Sequence, residues 1–322
     1  MLLDINNLSV SFSTRDGPVP AVRDVNLCLD SDQIIALVGE SGAGKTTLGL
    51  AVLNLLPGNA EVSGEILLDG RNVLAMSGSE LRSIRGREVS IVFQDPASGL
   101  NPVLTIGDQV SEILCNHLGL SRREARSESI GVLKRMGIRD PEKIIDQYPF
   151  HLSGGMAQRV MIGIAMALEP RLLIADEPTS SLDVTVQAQI LAELRQLKEA
   201  SQTSILLITH DLGVVAQMAE EVAVMYAGEI VEQGTAIQVF KDPAHPYTEG
   251  LLATRPRLDG EPIRPLRSIR GPIPDMEQDA ELCPFLPRCH KALARCRTED
   301  APQLAMIEGR HAAACFNPIV LN

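Results

Sequence analysis

The chain has 322 residues and a net charge of −12, with 45% hydrophobic residues, 3% aromatic residues and no Trp. This length is ample for an aliphatic core in one large domain or two, and the acidic charge argues against nucleic acid as the main partner, because phosphate backbones are bound by basic faces. No apolar run approaches the roughly 18–20 residues that span a bilayer, and residues 1–4 lack the basic region of a secretory signal, so we expect a cytoplasmic chain that reaches a membrane only through partners.

Alternating apolar residues predict short β-strands up to about residue 29, as in an antiparallel β subdomain. A buried parallel strand is expected at residues 34–38, and a helical pattern is evident from residue 48. Strand, glycine-rich turn and helix follow one another here, which is typical of an α/β core.

The turn after this strand has the G-x-x-x-x-G-K-[ST] pattern of a phosphate loop, which binds the phosphates of a nucleotide. It reads Gly39, Glu40, Ser41, Gly42, Ala43, Gly44, Lys45 and Thr46, with Thr47 next. Its glycines let backbone N–H groups converge on phosphates, and the helix N-terminus adds the positive end of its dipole. Lys45 would reach the β- and γ-phosphates, and the Thr46 hydroxyl would ligate Mg²⁺.

A polar, helix-rich insertion is expected between residues 95 and 147, with helices near 106–117 and 121–136. The turn Ser153, Gly154 and Gly155 then opens a predicted helix at 156–168 and offers free N–H groups, a hydroxyl and a helix dipole. One chain needs only one cradle for a γ-phosphate. We therefore expect this second one to serve a nucleotide held by another subunit.

The apolar run at residues 172–175 ends in Asp176 and Glu177, which predicts a buried parallel strand with carboxylates at the edge where α/β folds bind ligands. Asp176 is placed to hold Mg²⁺, and Glu177 to orient and deprotonate the attacking water. Taken alone, the pattern equally fits a strand that ends in solvated acids. A helix at 186–198, a strand at 204–209 that is followed by His210, a helix at 212–219 and a hairpin turning at Ala227 and Gly228 complete the core.

The last forty residues contain four of the six cysteines, Cys283, Cys289, Cys296 and Cys315. Disulfides are disfavoured in a cytoplasmic protein that uses ATP, so clustered thiols suggest a metal. Four thiolates suit tetrahedral zinc or a [4Fe–4S] cluster, and unmetallated structural thiols are a third reading. The lack of a C-x-x-C pair weakens the zinc reading. We expect the tail to be structurally separate, so that Cys289→Ser loosens it while ATP binding at Lys45 survives.

The whole chain resembles the ATPases of ABC transporters. The phosphate loop and the acid-ended strand match the family's Walker A and Walker B motifs, and Ser153 to Gly155 match its signature. Further matches are Gln94 to the Q-loop, Ser181 to Asp183 to the D-loop, His210 to the switch histidine and Phe12 to the aromatic residue that stacks on adenine.

The resemblance implies an α/β fold with a mostly parallel core, an antiparallel β subdomain and a helical subdomain at about 95–165. It also implies a head-to-tail dimer in which each ATP lies between one subunit's phosphate loop and the other's signature turn. His210 would contact the γ-phosphate, and Gln94 would sense Mg²⁺ and the lytic water while it links to membrane subunits. Asp183 would lie at the shared nucleotide site.

Residues 93–102 and 245–252 closely resemble the oligopeptide/dipeptide importer ATPases, a group that includes nickel importers. This implies a second ATPase subunit, identical or similar, two permease subunits, an extracytoplasmic substrate-binding protein and a place on the cytoplasmic face of the membrane. It also implies an iron–sulfur cluster in the tail. We expect an ATPase domain at 1–254 and a linker with the cysteine-bearing extension at 255–322.

Two other function classes stay open on the sequence. A soluble ABC ATPase acting on nucleic acid or ribosomes is opposed by the acidic charge and by the two importer-like segments. A non-catalytic regulatory module is opposed by the presence of Lys45, Asp176, Glu177 and His210 together.

Overall fold

The computed structural model describes residues 1–180, 182–254, 269, 271 and 282–319. Ser181 of the predicted D-loop and most of the linker predicted at 255–274 lie outside the described residues. The described residues fall into two compact units. The first comprises Met1–Leu2, Leu29–Ile34 and Asn72–Ile208, and the second comprises Leu3–Cys28, Ile35–Arg71 and the described part of Thr209–Asn322.

The strands are β1 Leu3–Thr14, β2 Gly17–Leu29, β3 Ile34–Val38, β4 Ala60–Leu68, β5 Arg71–Asn72, β6 Val89–Val92, β7 Leu172–Asp176, β8 Ser204–Thr209, β9 Glu221–Tyr226, β10 Glu229–Thr235, β11 Ala305–Glu308 and β12 His311–Ala313. The α-helices are α1 Lys45–Val52, α2 Gly78–Ile84, α3 Pro96–Gly99, α4 Ile106–Leu118, α5 Arg122–Arg135, α6 Pro141–Ile144, α7 Gly154–Met166, α8 Val184–Ser201, α9 Leu212–Met218, α10 Ala236–Lys241 and α11 Pro246–Ala253. Short 3₁₀ turns lie at Val73–Ala75, Pro149–His151, Leu286–Arg288 and Ala294–Arg297.

The first unit has a parallel sheet in the order β6-β7-β8. Val89 pairs with Leu172, and Asp176 pairs with Ile208. Every residue of β7 and β8 is buried, as expected for parallel strands that are covered on both faces. The carboxyl ends of these strands lie at one edge of the sheet, where Asp176 ends β7 and Glu177 follows it.

The segment between β6 and β7 is helical, which agrees with the predicted insertion. Ser121 begins α5 with a capping box that it shares with Glu124. Gly119, with a φ of 67°, ends α4. Helix α7 contacts α3, α5 and α8, and Arg159 of α7 forms an ion pair with Glu193 of α8.

The second unit contains an antiparallel sheet in which β1 lies between β2 and β4. Leu3 pairs with Leu68, and Phe12 pairs with Ala60. The prediction of short strands before residue 29 was wrong, because β1 and β2 have 12 and 13 residues. Polar and apolar residues alternate along β1 and β2 with interruptions. The sequence pattern therefore predicts several short strands where the structure has two long, continuous ones.

The same unit contains a mixed sheet in the order β3-β9-β10-β12-β11. Strands β3 and β9 are parallel, and the other neighbours are antiparallel. The predicted hairpin at Ala227 and Gly228 is confirmed, with φ values of 48° and 87° that favour small or flexible residues. Strands β12 and β11, which the sequence did not predict, extend this sheet with residues from the C-terminal tail.

None of the described helices combines the length and the apolar character that a membrane span requires. The domain boundary expected at residue 254 stays a prediction.

Candidate functional site

The predicted phosphate loop connects β3 to α1 in the second unit. Lys45 is the first residue of α1 and is 7% exposed, and its Nζ donates hydrogen bonds of 2.9 Å to the carbonyl oxygens of Gly39 and Glu40. Ser41 and Thr46 are exposed at the turn, whereas Thr47 is half-buried. Two carbonyl groups of the loop thus hold the Lys45 ammonium group. Ser41 and Thr46, which carry the hydroxyl groups, stay exposed to solvent, as binding of a phosphate chain requires.

Two glycines of this loop have no room for a side chain. A Cβ on Gly39 would lie 2.2 Å from the Met225 carbonyl oxygen, and one on Gly44 would lie 2.2 Å from the Ala21 carbonyl oxygen. Gly44 also has a φ of 101°, which L side chains rarely adopt. The loop is therefore packed directly on the backbone of β2 and of β9, which fixes its path.

The acid-ended strand lies in the first unit. Asp176 ends β7 and is 4% exposed. Glu177 follows with a φ of 47°, an unusual backbone conformation for a non-glycine residue, and its N–H donates a hydrogen bond of 2.8 Å to the Ile208 carbonyl oxygen. Strained backbone of this kind clusters at functional sites. Here it interrupts the extended backbone directly after Asp176, the last residue of β7.

The structure brings Gln94 and Glu177 together. Gln94 follows β6, the strand next to β7, and its Nε2 donates a 2.9 Å hydrogen bond to the Glu177 carboxylate. Ser180 Oγ lies 3.0 Å from the Glu177 carbonyl oxygen and 3.1 Å from that of Gln94. Gln94, which is expected to sense Mg²⁺ and the lytic water, is thus in direct contact with Glu177, which is expected to activate that water.

The signature turn is also in the first unit. Ser153 begins α7, and its Oγ accepts a hydrogen bond from the Met156 N–H. Ser153 and Gly154 are exposed. A Cβ on Gly155 would lie 2.9 Å from Val186, and Asp183 begins the same helix α8 by accepting hydrogen bonds from two of its N–H groups. The turn and residues 182–186 are therefore neighbours, and Ser153 and Gly154 of the turn are exposed to solvent.

Two other predicted site residues lie in the second unit. His210 is exposed directly after β8. Phe12 is half-buried on β1, opposite Ala60 of β4. Both positions keep part of the ring accessible, as contact with a nucleotide requires.

The four tail cysteines line one cavity, together with apolar side chains such as Phe285. All four are half-buried and free of disulfide bonds. The thiols of Cys296 and Cys315 accept hydrogen bonds from the N–H groups of Leu293 and Asn317. Those of Cys283 and Cys289 accept backbone hydrogen bonds from Phe285 and Lys291. The structure therefore gathers the predicted set and supplies each sulfur with a donor.

Burial controls the protonation of these thiols. It raises the pKa of Cys283 to about 11, and the pKa values of Cys289 and Cys315 are raised by the same cause. Backbone hydrogen bonds to the sulfurs oppose this shift in all three. Any metal bound here must displace protons, because thiolates are the ligands.

Within the part of the chain that the structure describes, no three His, Cys, Asp or Glu side chains lie close enough to share one metal ion. Zinc needs four ligands on a single ion at about 2.3 Å for sulfur. A [4Fe–4S] cluster binds each cysteine to a different iron, so its sulfurs lie further apart. The described thiols are therefore not gathered around a single metal ion, and the metal expected in the tail stays a prediction.

Glu40 and Arg288 are partners that the sequence alone does not indicate. The two Nη atoms of Arg288 donate hydrogen bonds of 2.6 and 3.1 Å to the Glu40 carboxylate. The Glu40 N–H donates a 2.8 Å bond to the Tyr247 hydroxyl. Glu40 occupies a variable position of the loop motif and Arg288 lies in the tail, so no local pattern connects them.

Comparison with known proteins identifies the family. Residues 22–180 match the model described as "ABC transporter", and residues 231–296 match "Oligopeptide/dipeptide transporter, C-terminal region". The chain is 44% identical over 317 residues to the oligopeptide transport ATP-binding protein AppD of Bacillus subtilis, covering 98% of this chain and 96% of the relative. The chain belongs to the ABC transporter ATP-binding proteins, in the oligopeptide/dipeptide branch.

Other members of the branch are equally similar. The oligopeptide transport ATP-binding protein OppD of Salmonella typhimurium is 44% identical over 319 residues, 99% of this chain and 94% of the relative. The dipeptide transport ATP-binding protein DppD of Bacillus subtilis is 46% identical over 299 residues, 92% of this chain and 88% of the relative. The C-terminal region match includes Cys283, Cys289 and Cys296 but not Cys315.

Solved structures agree with the ABC cassette fold. The chain is similar to a dimeric structure of MJ0796, a bacterial ABC transporter cassette, with a TM-score of 0.65, 26% identity and coverage of 73% of this chain and 99% of the other. A post-hydrolysis state of the same cassette, dimeric and bound to ADP and Pi, gives a TM-score of 0.66. The predicted α/β class and ABC-type architecture are confirmed.

Proposed function

We propose that this chain is the ATP-hydrolysing, energy-coupling subunit of a peptide-type ABC importer. The observation that carries the proposal is the Gln94–Glu177 hydrogen bond at the end of β7, in a chain that also holds Lys45 inside a phosphate loop. The unusual backbone of Glu177, with a φ of 47°, also supports the proposal, because such conformations cluster at functional sites. Sequence identities of 44% and 46% to oligopeptide and dipeptide transport ATP-binding proteins, over 98% and 92% of the chain, support peptides as the cargo class.

The proposed roles follow from the chemistry of each side chain. Lys45, with the N–H groups of the loop from Gly39 to Thr47, binds the ATP phosphates. Phe12 stacks on adenine, and His210 contacts the γ-phosphate. Thr46, Gln94 and Asp176 would hold Mg²⁺, which offsets phosphate charge when it is bound.

Glu177 is the proposed general base. It takes a proton from water as the water oxygen attacks the γ-phosphorus, and ADP leaves as the bond to the bridging oxygen breaks. The hydrogen bond from Gln94 would keep the carboxylate oriented before the reaction. The position after a buried strand supports this role, because it limits the motion of the backbone beneath the carboxylate.

The exposed signature turn supports a dimer. Ser153, Gly154 and Gly155, with Asp183 beside them, would bind the nucleotide held by a second ATPase subunit, either identical or similar. Dimeric ABC cassettes of similar fold support this arrangement. Two permease subunits and an extracytoplasmic substrate-binding protein would complete the importer, with this chain on the cytoplasmic face of the membrane and no nucleic-acid partner.

Nucleotide binding tests the core of the proposal. Equilibrium titration with Mg-ATP should give saturable binding by the wild-type chain and at least tenfold weaker binding by Lys45→Ala. Lys143→Ala is the matched control, since Lys143 is an exposed lysine that pairs with Asp140 at 3.6 Å. Purification from membranes should also recover permease subunits with the chain. Equal Mg-ATP binding by Lys45→Ala and Lys143→Ala would contradict the assignment. A purification from membranes in which no permease subunit accompanies the chain would also contradict it.

We also propose that Cys283, Cys289, Cys296 and Cys315 hold a [4Fe–4S] cluster. Four thiols around one cavity, each with an N–H donor, suit a cubane because such bonds stabilise sulfur ligands. Lys291, which also lines the cavity, would offset part of the negative charge. When bound, the cluster would add folding energy to a tail with few large apolar residues.

Metal analysis on anaerobically purified protein tests this assignment. About four irons and four sulfides per chain with broad brown absorption are expected. Cys296→Ser should lower the iron content, whereas Cys115→Ser, which changes a thiol of α4 outside the tail, should not. Stoichiometric zinc, or an absence of both metals, would overturn the cluster and leave the ATPase assignment intact.

A further inference from the structure

The cysteine-bearing tail contacts the phosphate loop within the second unit. The Arg288 guanidinium binds the Glu40 carboxylate through two hydrogen bonds of 2.6 and 3.1 Å. Their side chains are 4% and 24% exposed. Paired bonds of this kind between arginine and a carboxylate are among the strongest and most directional in proteins, and here they join residues that are 248 positions apart.

Glu40 makes several of the hydrogen bonds that hold the phosphate loop. Its carbonyl oxygen accepts hydrogen bonds from Lys45 Nζ at 2.9 Å and from the Ala43 N–H at 3.2 Å. Its own N–H donates to the Tyr247 hydroxyl at 2.8 Å. The residue that positions Lys45 is thus held from outside the loop at its backbone by Tyr247 and at its side chain by Arg288.

Arg288 is itself fixed by packing. It ends the turn Leu286–Arg288, and its Nη1 lies 3.3 Å from the Tyr226 hydroxyl. Phe285 is buried against the rings of Tyr226 and Tyr247, with centroid distances of 5.2 and 5.5 Å. The packing of Phe285 on these rings therefore holds the segment that carries Arg288, so that its guanidinium lies against the phosphate loop. Cys289 is the next residue of this segment.

We propose that Arg288 is a positioning residue of the nucleotide site, which holds the phosphate loop ready for ATP through Glu40 and makes the cysteine-bearing segment part of the nucleotide-binding unit. The inference rests on the proposed function, since it assumes that Mg-ATP binds at Lys45. Its physical basis is preorganisation: a loop already held in its binding conformation spends less binding energy on ordering.

This contact changes the expectation for the tail. The sequence suggested that the tail and ATP binding are separable. Cys283 and Cys289 flank Phe285 and Arg288, so a change that unfolds this segment also removes the guanidinium from Glu40. Nucleotide binding then weakens with the tail, although no tail residue need touch the nucleotide.

The test compares two arginines of the tail in the full-length chain. Arg288→Met removes the charge and keeps much of the volume. Arg310→Met is the matched control, because Arg310 is a second tail arginine and pairs with Glu221 of β9 at 2.6 Å. Equilibrium titration with Mg-ATP should show binding about tenfold weaker for Arg288→Met and within twofold of wild type for Arg310→Met. Equal affinity of the two variants would overturn the inference.

Glu40→Gln tests the contact from the other side and leaves the tail untouched. Mg-ATP binding should weaken about fivefold, and the double variant with Arg288→Met should bind no more than twofold more weakly than Arg288→Met alone. Unchanged affinity of Glu40→Gln, or independent losses that multiply in the double variant, would refute action through Glu40. The affinity of Glu40→Gln alone stands as a test even if Arg288→Met folds poorly.

Lys45→Ala separates this inference from the proposed function. If the wild type binds Mg-ATP and Lys45→Ala does not, the site stands and the Arg288 series tests the positioning role alone. If the wild type fails to bind Mg-ATP, the proposed function fails and the inference fails with it.

Discussion

The Gln94 side-chain amide donates a 2.9 Å hydrogen bond to the Glu177 carboxylate. The two residues follow β6 and β7, which are neighbouring parallel strands whose carboxyl ends meet at one edge of the sheet. Their contact is therefore a consequence of strand order. It links the residue proposed to sense the nucleotide with the residue proposed to activate water.

Loss of this contact should slow hydrolysis without abolishing nucleotide binding. Gln94→Ala removes the donor, so the Glu177 carboxylate loses its orientation and turnover should fall about tenfold, as expected when a catalytic group is misplaced. Steady-state phosphate release gives the turnover, and Mg-ATP titration gives the affinity. Unchanged turnover would show that the hydrogen bond is irrelevant to the reaction.

Two glycines of the phosphate loop should respond differently to alanine. Gly42 has a φ of 82° and nothing near its missing side chain, so Gly42→Ala adds only backbone strain of about 1–2 kcal/mol. Gly44→Ala adds similar strain and a clash with the Ala21 carbonyl oxygen. We expect Mg-ATP binding by Gly44→Ala to be at least tenfold weaker than by Gly42→Ala. Equal affinities would mean that the loop does not depend on its packing against β2.

The ion pair between α7 and α8 should contribute to stability. Arg159 and Glu193 are only 13% and 23% exposed, so Glu193→Ala leaves a largely buried guanidinium with weaker partners. The free energy of unfolding should fall by about 1–3 kcal/mol. Urea unfolding followed by circular dichroism measures it, because the chain has no Trp.

The control for that experiment is Glu128→Ala, since Glu128 pairs with Arg135 on the surface, where both are about half exposed. Its unfolding free energy should change by less than about 1 kcal/mol. Equal losses in the two variants would show that burial does not set the strength of the Arg159–Glu193 pair.

The sequence predicted what depends on local pattern. A strand, a glycine turn and a helix specify the phosphate loop, and Ala227 with Gly228 specifies a tight hairpin. Ser153 was recognised at the start of α7 because a serine followed by two glycines suits a helix N-terminus. The buried strand before Asp176 was evident from its continuous apolar run.

What the sequence did not reveal depends on distant parts of the chain. Strand β12 pairs with β10 by placing Ala313 beside Glu232, and His311 hydrogen-bonds the buried Glu232 carboxylate at 2.8 Å. Three tail residues form that strand, too few for a periodic signal. The contact between Arg288 and Glu40 likewise joins two charged residues of types that usually lie on the surface. They are far apart in the chain, and only the folded structure brings them together.

The most direct test of the proposed mechanism is phosphate release from Mg-ATP by the wild-type chain and by Glu177→Gln, with affinity measured on the same samples. Glu177→Gln should bind Mg-ATP like the wild type and turn it over at least about 10²-fold more slowly, the usual contribution of a general base. Turnover by Glu177→Gln equal to that of the wild type would contradict the assignment of Glu177 and the mechanism built on it.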